Sequence, residues 1–242
     1  MYSVALTDVG RIRLINQDTV YVSDVPIGVL PNLYIVADGM GGEKAGDYAS
    51  KSLIGYMITY IENTMKMPVV AIREAIEYAN ENLFAEGSKN PNLTGMGTTV
   101  VAASIIDNTL YVFNVGDSRC YILDENGIAQ ITKDHSLVEM LVSKGEITRE
   151  SDEYKENKSK ITRAVGAEAK VLIDSFEVEL LGNEYVLLCS DGLTNMVDDK
   201  KIFNIISSGA GVESSAKRLI EEANLSGGSD NISILLIDIN EG

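Results

Sequence analysis

The sequence predicts an α+β fold: an α-β-β-α sandwich of two stacked antiparallel sheets flanked by helix pairs. Three observations carry that reading. Many short runs rich in Val, Ile, Tyr and Thr are bounded by turn residues. Helical spacing appears in one pair of blocks early in the chain and another pair late. Helices and strands do not alternate strictly, which disfavours a doubly wound parallel sheet.

Taken in order, strands are expected at Ser3–Thr7, Thr19–Ser23 and Leu33–Ala37. Ala49, Leu53, Tyr56, Met57 and Tyr60 then fall at three-and-four spacing, and Ile72, Ala75, Ile76, Ala79 and Leu83 repeat it. Those are two helices. Strands follow at Thr98–Ile106, Leu110–Val115, Arg119–Leu123, Val171–Glu179 and Tyr185–Ser190. Asp107-Asn108 reads as a tight hairpin, and Gly116-Asp117-Ser118 as another. The late helices cover Ile202–Ile206 and then Ala216, Leu219, Ile220 and Ala223, before a last strand at Ile232–Asp238. The polar stretch from Ser151 to Lys160 reads as an exposed loop or as a mobile flap beside a site. No linker or repeat is visible, so residues 1–242 are expected to form one domain with a flap at about 135–163.

Composition narrows the partners. The chain has 242 residues, 45% hydrophobic and 23% charged, as a globular protein should. Its formal net charge is −16, which argues against a nucleic-acid binder or an anionic membrane surface, since both are met with surplus Lys and Arg. Cys120 and Cys189 sit in apolar runs and are expected as buried free thiols. No signal peptide is visible, and the apolar runs are too short to span a bilayer, so a cytoplasmic protein without membrane insertion is expected.

Four aspartates share a pattern. The strands ending at Ala37, Val115 and Ser190 run into Asp38, Gly116-Asp117 and Asp191, while Asp230 opens the last strand. In antiparallel sheets the end of one strand lies beside the start of its neighbour, so the four can meet at one edge of the stack. Four close carboxylates need compensation, and oxygen-only donors suit Mg²⁺ or Mn²⁺. Zinc would want His and Cys, and the chain has one His and no CxxC pair. Arg13, after the first strand, could grip a phosphate with two prongs, and Asp18 could hold a metal-bound water.

These blocks together resemble the metal-dependent type-2C protein serine/threonine phosphatases in their compact bacterial form. The matching segments are Thr7–Gly10 with Arg13, Asn16, Gln17 and Asp18; Val36–Gly42; Gly95–Thr99; Val115–Arg119; Lys133–Val138; Ile161–Gly166; Leu188–Leu193; and Gly228–Asn231. They occur in the family's order over nearly the whole chain. The resemblance implies hydrolysis of phosphoserine and phosphothreonine in proteins by a metal-activated water attacking phosphorus in line, without a phosphoenzyme. It implies two or three Mn²⁺ or Mg²⁺ ions. Asp38 would bridge two of them, with the Gly39 carbonyl on one and Asp191 and Asp230 on the other. Asp117 would join Asp191 around a third. Arg13 would bind the substrate phosphate, supported by Asp18 and Asn231. Phosphoproteins are the implied substrates, with a cognate Ser/Thr protein kinase acting on the same proteins.

The chain departs from the family at the leaving-group acid. Met40 follows the Asp-Gly pair, Glu43 follows the double glycine, and Lys155-Glu156 stands in the flap where relatives often carry His-Pro. His135 is the only His and its neighbours suggest a turn. Two other enzyme classes fail on spacing. The third glycine of a dinucleotide fingerprint would be Lys44. Asp134, His135 and Ser136 are adjacent and cannot form a triad's line of hydrogen bonds. The alternative in another class is a catalytically silent, phosphatase-like module that binds phosphoproteins or a regulator; intact aspartates argue against it.

Overall fold

The computed structural model describes residues 1–239, apart from the side chains of Glu43, Lys44 and Lys155. Strands β1 (Tyr2–Asp8), β2 (Asp18–Ser23) and β3 (Leu33–Met40) lead into helices α1 (Gly42–Asn63) and α2 (Pro68–Lys89). Strands β4 (Gly97–Thr98), β5 (Val100–Ile106), β6 (Thr109–Val115), β7 (Arg119–Asp124) and β8 (Gly127–Gln130) follow. Helices α3 (Leu137–Ser143) and α4 (Asp152–Asn157) precede β9 (Asp174–Glu179) and β10 (Tyr185–Cys189). The chain continues with α5 (Asp191–Thr194), α6 (Asp199–Ile206), α7 (Val212–Leu225) and β11 (Ile232–Asp238).

The strands form two sheets, ordered β1-β11-β10-β7-β8 and β2-β3-β5-β6-β9, with β4 also paired to β3. Every pairing among the named strands is antiparallel. Three apolar layers fill the sandwich. Val36, Val101 and Val112 meet Val186, Leu188 and Leu235 between the sheets. Leu53, Met57, Ile72 and Ile76 bury the outer face of the second sheet under α1 and α2. Ile202, Ile205, Ala216 and Leu219 do the same for the first sheet under α6 and α7. The three-and-four spacing is therefore the buried stripe of each helix. Cys120 and Cys189 are buried and free, as expected.

Four local expectations need correction. Gly116-Asp117-Ser118 is not a hairpin: β6 and β7 lie in different sheets, so this segment crosses the sandwich. Asp107-Asn108 is a hairpin, with φ of 48° and 64° at its two residues, as a tight primed turn requires. The strand expected at Thr98–Ile106 is interrupted at Thr99, and the one expected from Val171 starts only at Asp174. The polar stretch is partly helical: Ser151 caps α4 by accepting from the Tyr154 N–H at 3.2 Å, and Asp152 and Glu153 occupy its first turn.

Candidate active site

Four separate connections carry the aspartates to one place. Asp38 lies near the end of β3, Asp117 in the crossing after β6, Asp191 at the start of α5 and Asp230 just before β11. All four line a cleft of about 760 Å³ together with Arg13, Gly39 and Asn231. The strand-end pattern in the sequence thus corresponds to one edge of the sheet stack.

Hydrogen bonds fix the backbone at each point. The Asp38 N–H donates to Thr99 Oγ1 at 3.0 Å, while the Asp38 carbonyl accepts from the Thr99 N–H at 2.8 Å and from Thr98 Oγ1 at 2.9 Å. A threonine hydroxyl thereby replaces one backbone rung of the ladder opposite Asp38. Thr98 and Thr99 belong to the Gly95–Thr99 segment, where spacing alone gives them no role. Beyond Asp38, the chain approaches α1 backbone to backbone: a Cβ on Gly39 would lie 2.0 Å from the Gly46 carbonyl oxygen. At Asp191, Asn195 one helical turn on donates to Oδ2 at 2.8 Å. A Cβ on Gly192 would lie 1.9 Å from the Asn231 carbonyl oxygen, so only glycine lets α5 pack on the turn bearing Asp230.

Asn231 anchors the loop that holds Arg13. Its Oδ1 accepts from the Gln17 N–H at 2.8 Å, and its Nδ2 donates to the carbonyls of Val9 and Ile15, each at 3.0 Å. The half-exposed Arg13 side chain donates from Nη2 to Asp230 Oδ2 at 2.7 Å. Asp18 pairs with Asp38 across the β2–β3 ladder. Ser190 Oγ donates to Asp18 Oδ2 at 2.7 Å, and Asp18 Oδ1 is buried with no hydrogen-bond partner.

Electrostatics mark the same carboxylates. Burial pushes Asp18 up to about 7, countered by hydroxyls from Ser190 and Ser233 and reinforced by Asp191 and Asp230. Asp191 is pushed up to about 6, first by burial and then by Asp230. Asp38 stands well above the usual carboxylate range through burial and then the charges of Asp18, Asp191, Asp117 and Asp230. Asp117 is raised by burial, then by Asp191 and Asp134. Removal from water and mutual repulsion both favour a counter-cation here.

The donor set fits hard divalent cations. It is all oxygen, and Asp18 Oδ1 and Asp191 Oδ1 are buried polar atoms without protein partners. Among the described residues, no three His, Cys, Asp or Glu side chains already form a closed ligand group. Asp117 and Asp191 also line a smaller cavity of about 140 Å³, together with Tyr154 and Lys158 of the flap and the Arg119–Asp134 ion pair.

His135 lies elsewhere. Its Nδ1 accepts from the Gly116 N–H at 3.1 Å and its Nε2 faces Asp174 Oδ2 at 3.2 Å. Burial lowers its pKa, so the neutral ring clamps the crossing segment that carries Asp117 rather than lining the cleft. Met40 does line the cleft and has no proton to give. The side chains of Glu43 and Lys155 lie outside the described residues. Lys160, at the end of the polar stretch, lines the cleft, as the flap alternative expects.

Comparison with known proteins finds relatives over nearly the whole chain. A family model described as protein phosphatase 2C matches residues 11–223. The chain is 38% identical to the serine/threonine phosphatase stp of Listeria welshimeri, covering 99% of this chain and 96% of that one. It is 35% identical to the protein phosphatase PhpP of Streptococcus pneumoniae, covering 98% and 96%. The catalytic domain of the serine threonine protein phosphatase PstP, solved in complex with two manganese ions, superposes with a TM-score of 0.85 at 33% identity, covering 98% of this chain and 97% of that one.

Proposed function

The chain belongs to the protein phosphatase 2C family and is a serine/threonine protein phosphatase, and we propose that the aspartate cleft is its catalytic centre. The observation that carries this reading is the convergence of Asp38, Asp117, Asp191 and Asp230 on one cleft whose mouth holds Arg13. Residues 1–242 act in this reading as one catalytic domain.

Asp38, the Gly39 carbonyl, Asp191 and Asp230 would hold two Mn²⁺ or Mg²⁺ ions, and Asp117 with Asp191 a third. When bound, such ions lower the pKa of a water toward neutrality and offset the charge of a phosphate. Arg13 exchanges its contact with Asp230 for the substrate phosphate and holds the phosphoryl group in line for attack. Asp18, through its partnerless oxygen, orients a water beside Asp38. Asn231 keeps the Arg13 loop in register, so its contribution is one of position. The phosphoryl group passes directly to water: its bond to the water oxygen forms as its bond to the serine or threonine oxygen breaks, and no side chain acts as nucleophile.

The substrates are phosphoserine and phosphothreonine in proteins, and the partner is a Ser/Thr protein kinase that phosphorylates the same proteins in the cytoplasm. Among the described residues no helix is long and apolar enough to cross a membrane. The deciding experiment measures hydrolysis of p-nitrophenyl phosphate and of a phosphothreonine peptide after chelation, then with Mn²⁺ or Mg²⁺ restored. Turnover that returns with the metal supports the assignment. Silence under every divalent ion would leave a phosphoprotein-binding module.

A further inference from the structure

A phosphorylated residue in a protein has chain on both sides, so the substrate backbone must leave the cleft along its walls. On one wall the cleft continues past Met40 and Ile161 into a separate groove of about 320 Å³. Its apolar lining adds Ala164, Ala167, Val171 and Leu172. Leu172 is 70% exposed and Met40 36%, so two large apolar side chains stand open to solvent beside the phosphate site.

The groove is rigidly built. Thr98 and Val165 exchange backbone hydrogen bonds at 3.0 and 2.8 Å. The buried Asn80 of α2 accepts from the Gly166 N–H at 2.8 Å and donates to the Glu168 carbonyl at 3.0 Å. Its charges are balanced: Arg163 is paired with Asp174 at 2.8 Å, and Glu168 and Lys170 on the rim are opposite in sign. The rim therefore has little reason to select a charged residue. Ile12 and Leu14, on the Arg13 side, line the cleft but not this recess.

We infer that this groove is a specificity subsite, which receives an aliphatic side chain lying a short distance along the substrate chain from the phosphoserine or phosphothreonine. The inference rests on the catalytic reading above. It explains why a segment with no catalytic group is stitched so firmly to α2. It also assigns a task to Val171 and Leu172, which the sequence placed in a strand and the fold leaves outside it.

The test uses the full chain with Mn²⁺ and a set of phosphothreonine peptides in which one Leu is moved through the flanking positions of a Gly-Ser background. At one flanking position Leu is expected to raise kcat/KM on the order of tenfold over Gly, the usual gain from filling an apolar pocket. Leu172→Asp should remove that preference, and Leu172→Met should keep it. Leu172 is exposed, so neither change threatens the fold. Turnover of p-nitrophenyl phosphate, too small to reach the groove, is the reference for each variant. A flat Leu scan, or a preference that survives Leu172→Asp, with that reference intact, overturns the subsite. Absence of reference turnover in the unaltered protein would instead overturn the catalytic reading, and the subsite would fall with it.

Discussion

Asp38 and Asp191 have the same chemistry but different surroundings, and substitution should separate catalysis from folding at both. Burial and neighbouring carboxylates dominate at both, and an Asn at 191 keeps an oxygen to accept from Asn195, so either replacement mainly removes repulsion. Asp38→Asn and Asp191→Asn should abolish metal-dependent turnover while leaving Tm unchanged or slightly raised; near-normal rates in either would contradict a shared metal site. Arg13 makes a surface ion pair of the kind contributing at most about 1 kcal/mol, so Arg13→Ala should fold normally. It should raise KM more than it lowers kcat, if the phosphate contact is equal in ground and transition states. His135 gives a contrasting case. Because it is a neutral clamp on Gly116, His135→Gln should lower stability without moving the acid limb of the pH–rate profile. A displaced limb would instead make His135 a proton donor in the reaction.

At the scale of elements, the site depends on short pieces that hold long ones in place. The turn at Asp230-Asn231 is gripped by α5 through Gly192 and by the Arg13 loop through Asn231. Gly192→Ala places a methyl against backbone that has nowhere to go, and should cost at least about 2 kcal/mol along with activity. Asn231→Ala leaves an N–H and two carbonyls of the loop unpartnered, on the order of 2 kcal/mol, measured by denaturant midpoint. The sequence foretold the long elements because α1, α2 and α7 each repeat a buried stripe over several turns. It pointed to the aspartates because three sit where an apolar run stops and Asp230 where one begins. The missed pieces are short: β8, α3, α4 and α5 have too few residues for a period to register. Gly116 to Ser118 misled for another reason. A turn signal says that the chain bends there, and not whether the next strand joins the same sheet. Tertiary hydrogen bonds at Thr99, Ser190 and Asn195 had no local signal beyond their nearness to the aspartates.

Over the whole molecule the net charge of −16 and the buried carboxylates act together, and pH makes their effect visible. Burial raises Asp18 from an ordinary 3.8 to about 7 and Asp191 to about 6. Between about pH 4 and pH 7 the folded chain therefore retains protons that the unfolded chain has released. Stability from such groups is present at the acid end and is lost as pH rises through that window. In chelator, Tm should fall from pH 5 to pH 8. Metal binding has the opposite sense, because its ligands must give up those protons first. The stabilisation by Mn²⁺ should grow over the same interval. At 100 times Kd it reaches about 2.7 kcal/mol, on the order of 5–10 °C for a chain of this size. Surface carboxylates of an acidic protein add a slope of the same sign, so Asp18→Asn is the control that isolates the cleft. It removes one buried titrating group and should flatten the chelator curve without touching the surface. A Tm that climbs steadily from pH 5 to pH 8 in chelator, or an Asp18→Asn curve parallel to the original, would show that these carboxylates are not held against their charge in the folded state.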